Sequence, residues 1–499
     1  MLNRLQSSPA LSAHRLMPLA VLAAFLGAAA AGGVVVASGN LVLTGLAIGA
    51  IMGVLLLNAP GVAVWVVLIG TLAVTGPVVM HFPQLGRIAW LFSILGFFLL
   101  GASILYEGTN RDPHRPRMPV FMVLALAFMV YSIGMLALGE GSMDQGTAAL
   151  KRYFQYWGVA FVLATATFAP AQVRRWLVFL LLLSLIQLPF AIYQRLVLMP
   201  QRLNMPNQVV PVDIVAGTFE GSLFGGANNN VMVYLLIGAI CGLLAMHREG
   251  MLRRWGLALM LLVVATPLVL GETKMVLVMM PLALWAVYAD LVRRRPFAFA
   301  AGALAVGTLM AGLFYVYVQF QATEGRAPMT FQQRLEENFE YNFGERGYFG
   351  GASLNRASVV PFWWREHGAN DPVGTLFGHG IGASYGQRGV EETGHVDRRY
   401  PGYSIGLTTI ATLLWDVGVF GVFLYCAMLV GAFRAAKSLA ARASPGLDRA
   451  TCRTLQAMVA MIPPTLIALD AHIIAPSLQV LTMTTLGLIA WRWRQERRA

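Results

Sequence analysis

Runs of about 17–25 apolar residues, separated by short connectors that hold most of the charge, recur along nearly the whole chain. At 1.5 Å per residue such a run crosses the roughly 30 Å hydrocarbon core of a bilayer, so each is read as a transmembrane helix. The runs fall near 16–37, 41–58, 60–80, 86–106, 118–139, 153–170, 175–196, 228–247, 255–272, 274–292, 297–320, 403–433, 453–470 and 472–491, about fourteen spans with a range of 12–14. One stretch breaks the rhythm: roughly 80 residues from Gln321 to Gly402 are polar and too long for a connector, and a long loop on a rigid scaffold is where function usually sits. The expected fold is an all-α polytopic bundle in three parts. Residues 1–320 carry eleven helices and a polar segment near 194–227, residues 321–402 form one large loop with short helices, and residues 403–499 carry the last three helices and a basic tail.

Composition agrees with the pattern. Of 499 residues, 57% are hydrophobic and 12% charged, with a mean hydropathy of +0.65; soluble domains carry about 25% charged residues. The net charge of +13 would suit nucleic acid, but the basic residues sit in connectors between spans, which is how membrane helices are oriented. An even number of spans puts both termini on one side. That side collects Arg111, Arg115 and Arg117, Arg174 and Arg175, Arg248, Arg253 and Arg254, Arg293 to Arg295, Arg434 to Arg453, and the arginines of the tail. By the positive-inside rule it is cytoplasmic, and the large loop is expected outside, in the periplasm of a bacterial inner membrane. The cysteines Cys241, Cys426 and Cys452 lie in or at the ends of spans and predict neither a disulfide framework nor a zinc pattern.

Several basic residues fall on the outer side against this rule: Arg87, Lys151, Arg152, Arg195, Arg202 and Lys274. Singly each reads as snorkelling to lipid headgroups. Together with the loop arginines they would make an electropositive surface suited to phosphate or diphosphate. The segment GTFEGSLFGGANNN places Asn228 and Asn229 at a helix start, as caps or as ligands for a sugar or phosphate. In GETKMV, Glu272 and Lys274 are close enough to satisfy each other.

Within the loop, Phe331, Leu335, Phe339 and Phe343 recur every fourth residue and predict a short amphipathic helix on the membrane. A second helix is expected from Arg356 to His367, where Trp363 and Trp364 stand beside Arg365. Pro372 and the glycines of DPVGTLFGHGIGAS then break it. With no strand before it, this run is a poor dinucleotide loop; a turn whose backbone N–H groups meet an anion is the simpler reading. His379 within it reads as structural. The loop ends in EETGHVDRRY, where His395, Asp397, Arg398 and Arg399 supply a proton acceptor, a carboxylate and paired guanidinium groups. No Asp-x-Asp pair suggests magnesium, so the expected chemistry uses no metal and no cofactor.

These features resemble the O-antigen ligase and polymerase superfamily of bacterial envelope glycosyltransferases, which includes Wzy-type polysaccharide polymerases. The likeness lies in Arg356 opening an aromatic helix, in Pro372 and the GHGIGAS turn, in LLWDVGVFGVFLY around Asp416, Gly418 and Gly421, and in GTFEGSLFGGANNN, and it covers roughly the C-terminal 60% of the chain. Two positions depart. Lys274 stands where the family often has arginine, and the family's histidine falls at Leu407, so that His395 is the nearest substitute. The resemblance implies inverting, metal-independent transfer of a glycan from an undecaprenyl-diphosphate carrier at the periplasmic leaflet, as a polymerase of repeat units in exopolysaccharide or O-antigen synthesis. A ligase that transfers glycan to lipid A core is the alternative, and a transporter or flippase of lipid-linked glycan a more distant one. Arg356, Lys274, Arg398 and Arg399 would hold the diphosphate, His395 would take the acceptor proton, and Arg365, Trp363, Trp364, Asn228 and Asn229 would contact substrate. The implied partners are the lipid-linked glycan and the bilayer, with a chain-length regulator or a flippase as protein partners.

Overall fold

The computed structural model describes residues 59–86, 88–109, 116–203, 211–221, 223, 228–297, 354–368, 370–386 and 393–498, with residue 33 and scattered positions between 299 and 344. The described elements are helices, with no strand among them. They are α1 (Pro60–His81), α2 (Ile88–Thr109), α3 (Val120–Leu138), α4 (Met143–Phe154), α5 (Trp157–Thr165), α6 (Pro170–Tyr193, extended by a π turn and Met199–Leu203), α7 (Asn229–Arg248), α8 (Arg254–Leu270) and α9 (Val276–Arg294). After the large loop's own short helices α10 (Val359–Glu366) and α11 (Pro372–Phe377) come α12 (Thr409–Arg442), α13 (Leu447–Ala460), α14 (Ile462–Ala468), α15 (Ala471–Ile474) and α16 (Pro476–Arg498). Among the described residues, six helices are long and apolar enough to cross a bilayer: α1, α2, α3, α6, α7 and α12; α8 and α9 are shorter apolar helices. The chain is therefore a helical membrane protein. The first two expected spans, 16–37 and 41–58, the span 297–320 and the amphipathic helix around Phe331 to Phe343 fall wholly or largely outside the described residues.

The expected span 153–170 is corrected. Amphipathic α4 ends at Phe154, and α5 has only 9 residues, every one buried. At about 14 Å it is too short to cross the membrane. It survives inside the bundle because α16 caps both of its ends. Gln479 Oε1 accepts from Tyr156 N (3.1 Å) while its Nε2 donates to Arg152 O (2.7 Å), and Arg494 donates to the carbonyls of Ala164 and Thr165 at the other end. Each buried group left bare would cost about 1–3 kcal/mol. Gly96 and Gly158 let α2 and α5 touch backbone to backbone: a Cβ on Gly158 would lie 2.1 Å from Gly96 O.

The polar segment before α7 runs at depth in the bundle, and α6 satisfies its backbone. Gln194 accepts from Ala216 N and Gly217 N (3.0 and 2.7 Å) and donates to Gly217 O (2.7 Å). Gln187 accepts from Thr218 N (2.8 Å). Non-helical backbone is tolerated at such depth only when it is paired in this way.

Candidate functional site

The glycine run of the loop folds as a hook over the start of α12. His379 N donates to Trp415 O (3.0 Å) and Gly380 N to Asp416 O (2.8 Å). The Asp416 side chain, fully buried, accepts from Gly382 N (2.7 Å), Ser384 N (2.9 Å) and the Tyr153 hydroxyl (2.7 Å). The turn's N–H groups, expected to meet a ligand's anion, are instead taken by the chain's own Asp416 side chain. Gly418, at φ 63° and ψ −172°, kinks α12 beneath the hook, and the Tyr131 hydroxyl ties the two by donating to Phe377 O and Val417 O (both 2.9 Å).

His395 lies beside this hook, where Gln145 of α4 holds it twice. The His395 backbone N–H can only donate, so the acceptor Oε1 of Gln145 faces it (3.3 Å). Gln145 Nε2 must then face the ring and donate to Nδ1 (3.2 Å). The pattern assigns the neutral ring's proton to Nε2. Burial and the nearby Arg399 push the His395 ring below its ordinary range, so it is neutral at pH 7. In this state its outward nitrogen is a hydrogen-bond donor, a different role from the proton acceptor expected of His395. Two residues on, Asp397 is buried with no hydrogen-bond partner at Oδ1, and burial holds its carboxyl up at about 6. Among the described residues no cation pairs with it, and a carboxylate poised near neutrality in that setting has the profile of a general base.

The other two loop histidines form a group of their own. His367 and His379 face each other Nε2 to Nε2, with Asp371 Oδ2 at 3.7 and 3.8 Å. Burial lowers both, His379 to about 4. The His379 and His395 ring centres are 6.5 Å apart, so the three histidines line one region of the loop.

The remaining expected site residues divide. Arg398 and Arg399 are exposed on the same turn as Asp397, with Arg399 3.4 Å from Glu140. Arg356 donates through Nε to Ala468 O at the end of α14 (2.6 Å). Lys274 is exposed between α8 and α9, and Glu272 pairs with Arg195 (2.7 Å). Trp364 is exposed, but Trp363 is packed in the loop's core with Phe362 and Trp415, so of the two only Trp364 offers a face to a sugar. Arg365 is exposed beside Glu366 (3.2 Å). Asn228 holds the N-cap position of α7 without a side-chain cap bond; its amide donates to Glu220 Oε2 (3.1 Å), and Asn229 is buried.

Other basic residues expected to form an anion surface are engaged by the protein. The Lys151 ammonium lies over the Trp90 ring, the buried Arg152 guanidinium over Tyr385, and Arg202 donates to Leu223 O (3.0 Å). Arg87 lies outside the described residues. Glu220, which also accepts from Ser477, and Gln145 were not singled out from the sequence; a lone Glu or Gln carries no local signal of a partner far along the chain.

A large cavity of about 950 Å³ lies elsewhere, between the start of α6, the start of α13 and the end of α16, lined by Trp65, Arg174, Asp448 and Arg492. It is apolar for the most part and far along those helices from the hook. No protein-family model matches the chain, and no curated protein matches it.

Proposed function

We propose that the protein is a membrane glycosyltransferase that polymerises undecaprenyl-diphosphate-linked oligosaccharide repeats at the periplasmic leaflet, with the loop outside. One observation carries the reading: a loop turn hooked onto Asp416 brings together a carboxyl whose Oδ1 has no hydrogen-bond partner (Asp397), an oriented neutral imidazole (His395) and two exposed guanidinium groups (Arg398 and Arg399). These are the parts an inverting transfer requires. The acceptor hydroxyl gives its proton to Asp397 and its oxygen attacks the anomeric carbon from the face opposite the carrier. The bond from that carbon to the diphosphate oxygen breaks, and the leaving undecaprenyl diphosphate keeps the electron pair. Arg398, Arg399 and the Nε2–H of His395 meet its growing charge, with Arg356 and Lys274 as further cations. Trp364 offers a stacking face to the glycan. The six described helices of membrane-crossing length, the long polar loop between apolar runs and the resemblance to O-antigen polymerases and ligases support this assignment.

The test in cells is Arg356→Ala. The expected outcome is loss of polymer from a protein that is still inserted and expressed; polymer of normal length would remove Arg356 from the diphosphate site.

A further inference from the structure

We infer that His367, Asp371 and His379 form a binding site for one divalent metal ion of the zinc class, fastening the loop hook. Their ligand atoms, the two Nε2 and one carboxylate oxygen, all lie within 4.8 Å of one another. Ligand atoms around a tetrahedral ion at about 2.0–2.2 Å stand roughly 3.3–3.6 Å apart. The distances from Asp371 Oδ2 to His367 and His379, 3.7 and 3.8 Å, are close to that, while the two Nε2 must move apart by about 1 Å to admit the ion.

Each ligand is aimed by a contact outside the group. Asp371 Oδ1 accepts from Gly374 N (2.8 Å) as the cap of α11, which leaves Oδ2 turned to the histidines. The His367 ring stands edge-on to Trp415 (4.5 Å between centres) and stacks near Trp363. Its buried Nδ1 has no hydrogen-bond partner, so the polar contacts of that ring are all made through Nε2. His379 is set by its backbone bond to Trp415 O. Without an ion, two facing imidazoles share one hydrogen bond and Oδ2 is out of hydrogen-bond reach of both. An ion satisfies all three at once.

Two imidazoles and one carboxylate select zinc or its neighbours rather than magnesium or calcium, which take oxygen ligands. The three ligands come from the end of α10, the cap of α11 and the turn after it, so the ion would hold these pieces together. This site does not depend on the proposed transfer reaction and is tested without it.

The experiment is calorimetric titration of zinc chloride into the full-length protein, purified in detergent without a polyhistidine tag and stripped with EDTA. The expected result is one tight equivalent, weakened at least about tenfold by His379→Ala and by Asp371→Asn. Asp371→Asn keeps the cap of α11, so it separates ligation from folding. Zinc should also raise the Tm of the parent and not that of Asp371→Asn. Absence of a stoichiometric site in the folded parent, or variants that bind as the parent does, would overturn the inference.

Discussion

Gly378 and Gly418 meet in nearly the same backbone conformation, φ 78° and ψ −172° in one and φ 63° and ψ −172° in the other, a region open essentially only to glycine. A Cβ on Gly378 would lie 2.5 Å from the Asp416 carbonyl carbon, and one on Gly418 2.5 Å from Leu376 O. The hook and the kink of α12 are thus one joint. Alanine at either position should cost at least about 3 kcal/mol, from backbone strain and the clash together. Thermal unfolding in detergent checks this, and an unchanged Tm in both variants would mean that the joint does not contribute to the fold.

Asp416 is the acceptor on which the hook hangs. Asp416→Asn removes the charge and places an amide N–H₂ among three donors, so the loop should be cleaved faster by protease and transfer should fall at least about tenfold. Tyr153→Phe loses one of the three donors and should lie between parent and Asp416→Asn in both assays.

The Gln145 contact separates two roles for His395. If the ring donates through Nε2, His395→Gln can stand in for it, since a glutamine amide also donates. The expected order of transfer rates is parent, then His395→Gln, then His395→Ala. Equal loss in both variants would return His395 to the role of proton acceptor.

Asp397 gives a pH signature. As a base it acts when ionised, so transfer should fall about tenfold per pH unit below about 6. Asp397→Asn should lose at least about a hundredfold in rate. Stability should move the other way. A carboxyl whose pKa is higher folded than unfolded favours the folded state below its ordinary value near 4, and that contribution is lost as pH rises through about 6. The asparagine variant, relieved of a buried charge, should therefore have the higher Tm at pH 7. A pH profile unchanged by the substitution would exclude Asp397 as the base.

Much of this arrangement was visible in the residues, for reasons that explain what was not. Helices such as 229–248 and 120–138 are written in uninterrupted apolar runs, and α10 and the break at Pro372 in local chemistry. The short α5 was read as part of a span because its apolar composition is that of a buried helix in any setting; its limits are set by Gln479 and Arg494, more than 300 residues away. The glycine turn was read as one that meets a ligand's anion, whereas its N–H groups meet Asp416, over 30 residues downstream. Separations of 250 and 77 residues hid the Gln145 contact that gives His395 its tautomer and the pairing of Glu272 with Arg195.

The central claim is glycan transfer from a lipid diphosphate. Its most direct test is to incubate the purified protein with a synthetic undecaprenyl-diphosphate oligosaccharide, with and without lipid A core, and to resolve the products on a gel. A ladder of repeat lengths from the lipid-linked donor alone, absent in Asp397→Asn, is the predicted result. Product formed only with core would make the protein a ligase, and no transfer under either condition, with donor instead moving across vesicles, would contradict the account.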